Sequence, residues 1–257
     1  MKVSIITITY NSAQTVEETI KTVVMQDYPE IEYLIIDGKS KDRTLEIVKK
    51  YNDQITKVVS EKDNGLYDAL NKGISHATGD VIGMLHSDDL YTNEKVISKV
   101  MQKFKDDASI EGVYADLVFV SRKDINKPMR VWQSGEYTPG SFLKGWMPPH
   151  PTFFVRKEVY EKYGGFNTSL KLSADYELML RFIHKHEIKI AYLKESIVKM
   201  RMGGVSNVSI FVKIKANLED KLAWRLNGIK PGIATTLLKP LKKISQYFKR
   251  AYATLFM

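Results

Sequence analysis

Short apolar segments alternate with amphipathic segments along the first hundred residues. The apolar segments, rich in β-branched side chains, are residues 3–10, 32–38, 57–60 and 81–85. Between the first two, residues 11–26 place Val16, Ile20 and Val23 on one helical face, with Ser12 as the expected N-cap. Strands without polar alternation are buried on both faces. The pattern therefore predicts an α/β fold with a mostly parallel sheet flanked by helices.

The pattern loosens beyond residue 105, which divides the predicted domain of residues 1–205 into the halves 1–105 and 106–205. Apolar segments in the second half predict strands over 112–120 and 128–135, a helix over 173–186 and extended chain over 189–202. A proline-rich loop, GWMPPHPTFF, leads into one more predicted strand.

Residues 206–257 are predicted to form a helical, basic extension. From Lys230 onward the chain carries lysine and arginine but no acidic residue, and leucine, isoleucine and phenylalanine recur on one helical face. One interpretation is an amphipathic helix on an anionic membrane surface, which predicts that residues 230–257 bind anionic liposomes. The other is a helix packed on the domain or on a second subunit.

Composition narrows the class of protein. With 257 residues and 44% hydrophobic residues the chain can bury a substantial core, and the absence of cysteine excludes disulfides, thiolate nucleophiles and cysteine metal sites. No run approaches the roughly 18–20 apolar residues of a membrane span, and the N-terminus turns polar too early for a signal peptide. We therefore expect a cytoplasmic protein, with or without contact to the inner face of the cell membrane. The net charge of +9 alone would suggest nucleic acid, but no basic-aromatic stacking pattern accompanies it.

Polar side chains follow each predicted parallel strand, where open α/β sheets bind ligands. They are Thr9 and Asn11, Asp37 and Ser40, Glu61 and Asp63, and Ser87, Asp88 and Asp89. The loop after the first strand contains no glycine, and no Walker lysine loop occurs. This excludes the usual dinucleotide fingerprint and the P-loop.

Asp88 and Asp89 end the sequence HSDD. One interpretation places them at the N-terminus of the next helix, where carboxylates are favoured, although Thr92 is better placed to cap it. The other is a hard divalent cation bound by one or two carboxylates, with substrate phosphates and water completing its coordination. The pair alone leaves both interpretations open.

Two further acidic segments have two interpretations each. Asp37 could accept a hydrogen bond from a nucleobase, or cap the following helix together with Ser40. Residues 60–74 gather charged and polar side chains at a helix start, which suits either a bound diphosphate and sugar or an ordinary solvated surface.

Six separated segments then resemble one known family. They are SIITITYN, IIDGKSKDRT, SEKDNGLYDALNKGI, GDVIGMLHSDD, PHPTFF and SADYELMLR. In order and spacing they resemble the inverting nucleotide-sugar glycosyltransferases of family two, which have the GT-A fold, over roughly residues 1–205. The resemblance is greatest to bacterial members that assemble surface polysaccharides such as O-antigen or capsule. It makes residues 1–105 the nucleotide-sugar-binding half and 106–205 the acceptor-side half.

The resemblance also implies roles for individual residues. Those implied to bind the nucleotide-sugar are Thr9, Asn11, Asp37, Ser40, Asp63, Asn71 and Asp88. Among the acids, Asp88 would face the ribose or the donor sugar, Asp89 would ligate Mn²⁺ or Mg²⁺, and Asp175 would be the catalytic base. Ala174 stands where many relatives have a glutamate before that base.

The implied reaction moves a sugar, with inversion, from a nucleoside-diphosphate sugar to a hydroxyl of a glycan or lipid-linked glycan. The base removes the hydroxyl proton, and the metal neutralises the leaving diphosphate. His150 in the proline-flanked loop is interpreted as a pocket residue or as a polar loop residue without a role. The competing hypotheses are a sugar nucleotidyltransferase, whose glycine-rich signature loop is missing, and a non-catalytic sugar-nucleotide-binding subunit.

Overall fold

The computed structural model describes residues 1–203 and 210–230. Within these residues nine strands form one sheet: β1 (Val3–Thr9), β2 (Ile31–Asp37), β3 (Lys57–Ser60), β4 (Val81–Met84), β5 (Asp89–Tyr91), β6 (Gly112–Val120), β7 (Pro128–Trp132), β8 (Phe154–Arg156) and β9 (Ile190–Arg201). The helices are α1 (Val16–Val24), α2 (Thr44–Lys49), α3 (Leu66–His76), α4 (Val96–Asp106), α5 (Lys157–Tyr163), α6 (Ala174–Met179) and α7 (Ile210–Leu226). A π-helix, Leu180–Lys185, continues α6, and short 3-10 helices lie at Ser141–Lys144 and His150–Thr152.

The sheet has the strand order β3-β2-β1-β4-β8-β6-β9-β5, with β7 paired to β6. Its first four strands are parallel, as the sequence predicts. Side chains of β1 alternate between two hydrophobic layers: Ile5 packs with α1 and α4, while Ile6 packs with α3 and α6. Helices therefore cover both faces, and the α/β class is confirmed.

The second half adds antiparallel pairs. β8 pairs antiparallel with β4 and with β6, so it joins the two predicted halves in one sheet. β6 and β9 are parallel, whereas β6 with β7 and β5 with β9 are antiparallel. The sheet is therefore mixed, and β3, β2, β1 and β4 form a parallel part at one edge. The strands predicted over 112–120, 128–135 and 189–202 are all present.

Two predicted helix caps are wrong. Helix α1 begins at Val16, and the Ser12 hydroxyl contacts the Ser87 hydroxyl at 2.8 Å instead of capping it. Helix α4 begins at Val96, where the Asn93 side chain accepts the Lys95 N–H at 2.9 Å, and Thr92 has no capping role. The residues between HSDD and α4 form β5, because tertiary pairing with β9 outweighs the local helical signal.

Helix α7 lies within the predicted extension but packs into the body of the protein. Ala223 and Trp224 are fully buried against α6, and the Trp224 indole N–H donates to the Tyr176 hydroxyl at 2.9 Å. The predicted amphipathic segment from residue 231 to 257 lies outside the described residues. Among the helices that are described, none is both long and apolar enough to span a bilayer.

Candidate active site

The loops after β1 and β2 meet at Asp37, which is fully buried. Its Oδ1 accepts the hydroxyls of Thr9 (3.0 Å) and Ser40 (2.5 Å), and its Oδ2 accepts the Ser40 N–H (3.0 Å) and the Ser60 hydroxyl (2.7 Å). A carboxylate offers about four lone-pair positions, so protein donors saturate this one. Asp37 thus holds the two loops together from behind, and its contact with the nucleoside stays a prediction.

Asn11 joins the same two loops from the outside. Its backbone N–H donates to the Ser40 hydroxyl at 2.9 Å, and its side-chain oxygen accepts the Lys41 N–H at 2.9 Å. Asn11 has φ +50°, in the left-handed region that asparagine tolerates better than most residues. Asn11 therefore sets the loop conformation, while its side chain stays at the surface.

A niche beside these loops is formed by Tyr10, Gly38 and Asp63. A Cβ at Gly38 would lie 2.4 Å from Asp63 Oδ2 and 3.3 Å from the Tyr10 ring, so the missing side chain makes room for both. Tyr10 is 61% exposed, and Asp63 is half-buried, with Oδ1 accepting the Gly65 N–H at 3.0 Å. An exposed ring next to a carboxylate can stack on a flat heterocycle and accept its N–H. Our sequence reasoning missed Tyr10, although its place at the end of the first strand could have indicated it.

The Asn71 side chain forms hydrogen bonds within the protein. Its carboxamide donates to the Phe166 carbonyl at 2.9 Å and accepts the Phe166 N–H at 2.8 Å. Phe166 in turn stacks on Tyr67 with ring centroids 5.5 Å apart. The Asn71 amide is therefore paired on both sides and positions Phe166, while its donor contact stays a prediction.

Asp88 and Asp175 approach each other around His86, although they are far apart in the sequence. His86 follows β4, and burial lowers its pKa while the charges of Asp88 and Asp175 raise it in part, so both carboxylates lie within electrostatic reach of the ring. Both acids are half-buried. The structure thus brings the predicted base and the HSDD segment to one cleft.

Asp175 lies in the first turn of α6 and is oriented by Tyr67. The Tyr67 hydroxyl donates to Asp175 Oδ1 at 3.1 Å. Burial, followed by the Asp175 charge, raises the pKa of Tyr67, so its hydroxyl stays protonated. One carboxylate oxygen is thereby held by the protein, and the other is left to act on a ligand.

Asp89 points away from that cleft. It is fully buried at the start of β5, and neither carboxylate oxygen has a hydrogen-bond partner of normal geometry. Burial and the neighbouring Asp88 charge raise its pKa well above the usual range, which the charge and backbone N–H of Arg201 offset only in part. Arg201 itself is 4% exposed and forms an ion pair with Glu18.

The ligands available around each acid decide which of them can bind a divalent cation. Among the described residues no group of three or more histidine or acidic side chains could hold a metal by itself. A Mg²⁺-type site needs only one or two carboxylates, if phosphates and waters can reach the ion. Asp88 fits, because it is half-buried and has no hydrogen bond or ion pair with another described residue. The buried Asp89, next to a guanidinium, does not leave that room.

His150 lies under this cleft. It is 8% exposed, packs edge-on against Phe166 with ring centroids 5.5 Å apart, and lies 5.8 Å from the His86 ring. Neither ring nitrogen has a hydrogen-bond partner. Burial, followed by the nearby His86, lowers the pKa of His150 to about 3, so the ring is neutral at pH 7. The structure buries His150 beside His86, and its place in a pocket wall stays a prediction.

Comparison with known sequences gives the family. Residues 4–164 match the family described as glycosyl transferase family 2. The uncharacterized glycosyltransferase Rv1514c of Mycobacterium tuberculosis is 31% identical over 181 residues, which cover 70% of this chain and 68% of the relative. Hyaluronan synthase of Pasteurella multocida is 24% identical over 229 residues, 84% of this chain but only 23% of that larger protein.

Solved structures give the fold. The S. aureus TarS 1–349 complex with UDP-GlcNAc has a TM-score of 0.70 at 19% identity, over 98% of this chain and 73% of that chain. The mannosyltransferase PcManGT from Pyrobaculum calidifontis, in complex with GDP-Man and Mn²⁺, has a TM-score of 0.67 at 20% identity, also over 98% and 73%. These likenesses confirm the predicted GT-A arrangement of a mixed sheet flanked by helices. With the family match over residues 4–164, they show that the chain belongs to glycosyl transferase family 2 and is a glycosyltransferase.

Proposed function

We propose that this glycosyltransferase moves a sugar, with inversion, from a nucleoside-diphosphate sugar to a hydroxyl of a glycan or lipid-linked glycan. The observation that carries the proposal is a pair of half-buried acids, of which Asp175 is oriented by the Tyr67 hydroxyl and Asp88 has no hydrogen bond to another described residue. One acid suits the diphosphate side of the reaction and the other suits the acceptor side. Asp88 lies in the turn between β4 and β5, and Asp175 lies in the first turn of α6, so different elements hold the two acids.

The nucleoside is proposed to bind at the niche of Tyr10, Gly38 and Asp63. The exposed Tyr10 ring stacks on the base, and Asp63 accepts a base or ribose hydrogen bond. Thr9, Asn11, Asp37 and Ser40 shape the loops beneath it. UDP-GlcNAc in the TarS complex and GDP-Man in the PcManGT complex support this donor class, without deciding the base or the sugar for this chain.

Asp175 is proposed as the general base. Tyr67 fixes Oδ1 and so orients Oδ2 toward an acceptor hydroxyl, whose proton Asp175 removes as the oxygen attacks the anomeric carbon. Attack from the face opposite the leaving diphosphate gives inversion. His86, whose pKa is lowered by burial, lies within electrostatic reach of both acids.

The metal role that the sequence gave to Asp89 is proposed for Asp88 instead. A bound Mn²⁺ or Mg²⁺ would neutralise charge on the departing diphosphate. Asp88 contributes an unpaired carboxylate at the cleft, whereas Asp89 contributes a buried one beside Arg201. The Mn²⁺ in the PcManGT complex supports metal use in this fold.

The biological setting is proposed from the relatives. One relative is a hyaluronan synthase, a name that states the synthesis of a polysaccharide. We propose assembly of a bacterial surface polysaccharide, lipopolysaccharide O-antigen or capsule, at the cytoplasmic face of the membrane, with residues 230–257 touching the lipid.

The test is a panel of UDP-, GDP- and dTDP-sugars, assayed for donor hydrolysis and transfer with Mn²⁺ or Mg²⁺. We expect one donor class to turn over only with metal, and Asp88→Asn to abolish that turnover. Asp89→Asn, the matched neighbour, should keep it. Loss with Asp89→Asn but not with Asp88→Asn would restore the original assignment, and no turnover of any donor would refute the proposed transferase reaction.

A further inference from the structure

Helix α7 carries an exposed apolar stripe. Ile214, Leu218, Leu222 and Leu226 are spaced four residues apart and are 54%, 59%, 41% and 47% exposed. Residues at that spacing lie one above another on a helix, so the stripe runs along about 18 Å of surface. Four large apolar side chains in one line are more than the scattered apolar residues of an ordinary surface.

The positive and the negative side chains of α7 lie on different sides of the helix. Lys215, Lys221 and Arg225 are exposed, next to the stripe. Both acids face the protein: Glu219 accepts three backbone N–H groups before α6, and Asp220 is only 6% exposed. The outer face of α7 therefore combines apolar side chains with positive charge alone.

We propose that this face of α7 docks on an anionic lipid bilayer. A helix with an apolar stripe and flanking cations lies in the interface between headgroups and acyl chains. Another segment of this chain or a second copy of it would match the positive charge of α7 less well. Residues 231–257 contain no acidic residue to pair with the three cations, and a second copy would present the same cations.

Docking there would also fix the position of the active site. The Asn227 side chain donates to Glu177 at 3.0 Å, and Trp224 donates to Tyr176 at 2.9 Å, so two hydrogen bonds tie the C-terminal end of α7 to α6. Asp175 lies in the first turn of that same α6. If the proposed transfer to a lipid-linked acceptor holds, bilayer contact through α7 sets the height of the base above the membrane.

The experiment is sedimentation of the full chain with vesicles, without donor or acceptor. One set contains equimolar phosphatidylglycerol and phosphatidylethanolamine, and the other contains only uncharged phosphatidylcholine. The test variant is Leu218→Gln with Leu222→Gln. The matched control is Met25→Gln with Val58→Gln, which changes two exposed apolar residues elsewhere. We expect the wild-type protein to bind the anionic vesicles only. Partition of the test variant onto them should fall at least about tenfold, because it lacks two leucines that become buried in the bilayer.

Undiminished binding of the test variant would overturn the proposal, since another surface would then hold the lipid. A fall in melting temperature of the test variant without vesicles would also overturn it, because residues of the same chain would then cover the stripe. So would a wild-type dimer that the variant converts to monomer. Since no donor is present, these outcomes leave the proposed transfer reaction untouched, and an inactive protein that binds vesicles would refute only that reaction.

Discussion

At the scale of single residues, Asp175 depends on a contact that spans the chain. The Tyr67 hydroxyl that orients it lies 108 residues away in the sequence. We expect Asp175→Asn to lower transfer about 10²–10⁴-fold, the usual contribution of a general base, while the donor Kd stays near that of the wild type. Steady-state kinetics and donor titration calorimetry measure the two effects. Asp53→Asn, at an exposed position, is the control.

Near-normal transfer by Asp175→Asn would show that another group takes the proton. A parallel loss of donor affinity would instead make Asp175 a donor ligand.

Adjacent residues of the HSDD segment show what a sequence pattern leaves undecided. The pattern identified Asp88 and Asp89 as chemically interesting, and the resemblance gave the metal to Asp89, whereas the burial of the two side chains favours Asp88. Asp89 begins β5 and pairs opposite Met200 of β9, which turns its side chain into the protein. Side chains alternate along a strand, so a register difference of one residue decides which carboxylate reaches the cleft. That register is set by β9, not by the local sequence.

At the scale of elements, a buried carboxylate joins the strands β1 and β2 to the loop before β4. Glu32 accepts the Ser4 hydroxyl at 2.5 Å and the Thr78 N–H at 2.7 Å, and it lies 3.8 Å from the Lys2 ammonium. Burial raises the pKa of Glu32, but these hydrogen bonds and the Lys2 charge together hold it below its usual value. A depressed pKa stabilises the fold above the unfolded pKa of about 4.3, and that stability is lost as pH falls through the folded pKa.

We therefore expect Glu32→Gln to lower the free energy of unfolding at pH 7 by about 1.5–3 kcal/mol, the usual worth of hydrogen bonds to a charged group. The difference from the wild type should shrink as pH falls below about 4, where the wild-type carboxyl becomes protonated. Urea unfolding across pH measures it, with the exposed Glu46→Gln as control. A difference that is constant with pH would show that charge has no part in this contact.

The junction of α7 and α6 depends on Glu219. One of its oxygens accepts the N–H groups of Lys171, Leu172 and Ser173 at 3.0, 2.7 and 3.1 Å. We expect Glu219→Gln to destabilise the fold by about 1–3 kcal/mol, because a neutral amide oxygen is a weaker acceptor for three donors. It should also reduce kcat, since Asp175 follows Ser173 by two residues. Thermal unfolding and transfer assays measure both, and the exposed Lys221→Gln should change neither.

Unchanged stability in Glu219→Gln would mean that a neutral oxygen holds the three N–H groups as well as the carboxylate does. The periodic pattern of α7 could not have predicted this contact, because Glu219 looks like one more solvated charge until its partners are known.

At the scale of the whole molecule, positive charge concentrates toward the C-terminal end of the chain, where α7 also carries its exposed apolar stripe. The three exposed cations of α7 precede the six lysines and arginines of residues 230–257. We expect a chain ending at Lys230 to keep donor turnover, because the proposed site residues all precede that point. Its binding to anionic vesicles should be weaker but not abolished, since basic residues near a membrane each contribute about 1 kcal/mol. Sedimentation with vesicles measures it, in low and in high salt as the control.

Equal binding by the shortened chain would assign the membrane contact to α7 alone. Loss of all binding would assign it to residues 231–257, and would contradict the docking role of α7.

The sequence by itself determined the order of strands and helices, the α/β class, and the residue types at the strand ends, because periodicity and turn chemistry are local properties. The resemblance of six segments then predicted the family that the comparisons confirmed. Only the tertiary structure decided that β8 joins the two halves, that Asp37 and Asn71 are hydrogen-bonded within the protein, and that Asp88 is half-buried while Asp89 is fully buried. These outcomes depend on burial and pairing between residues far apart in the chain, and no local pattern encodes which side of a strand its neighbours will cover.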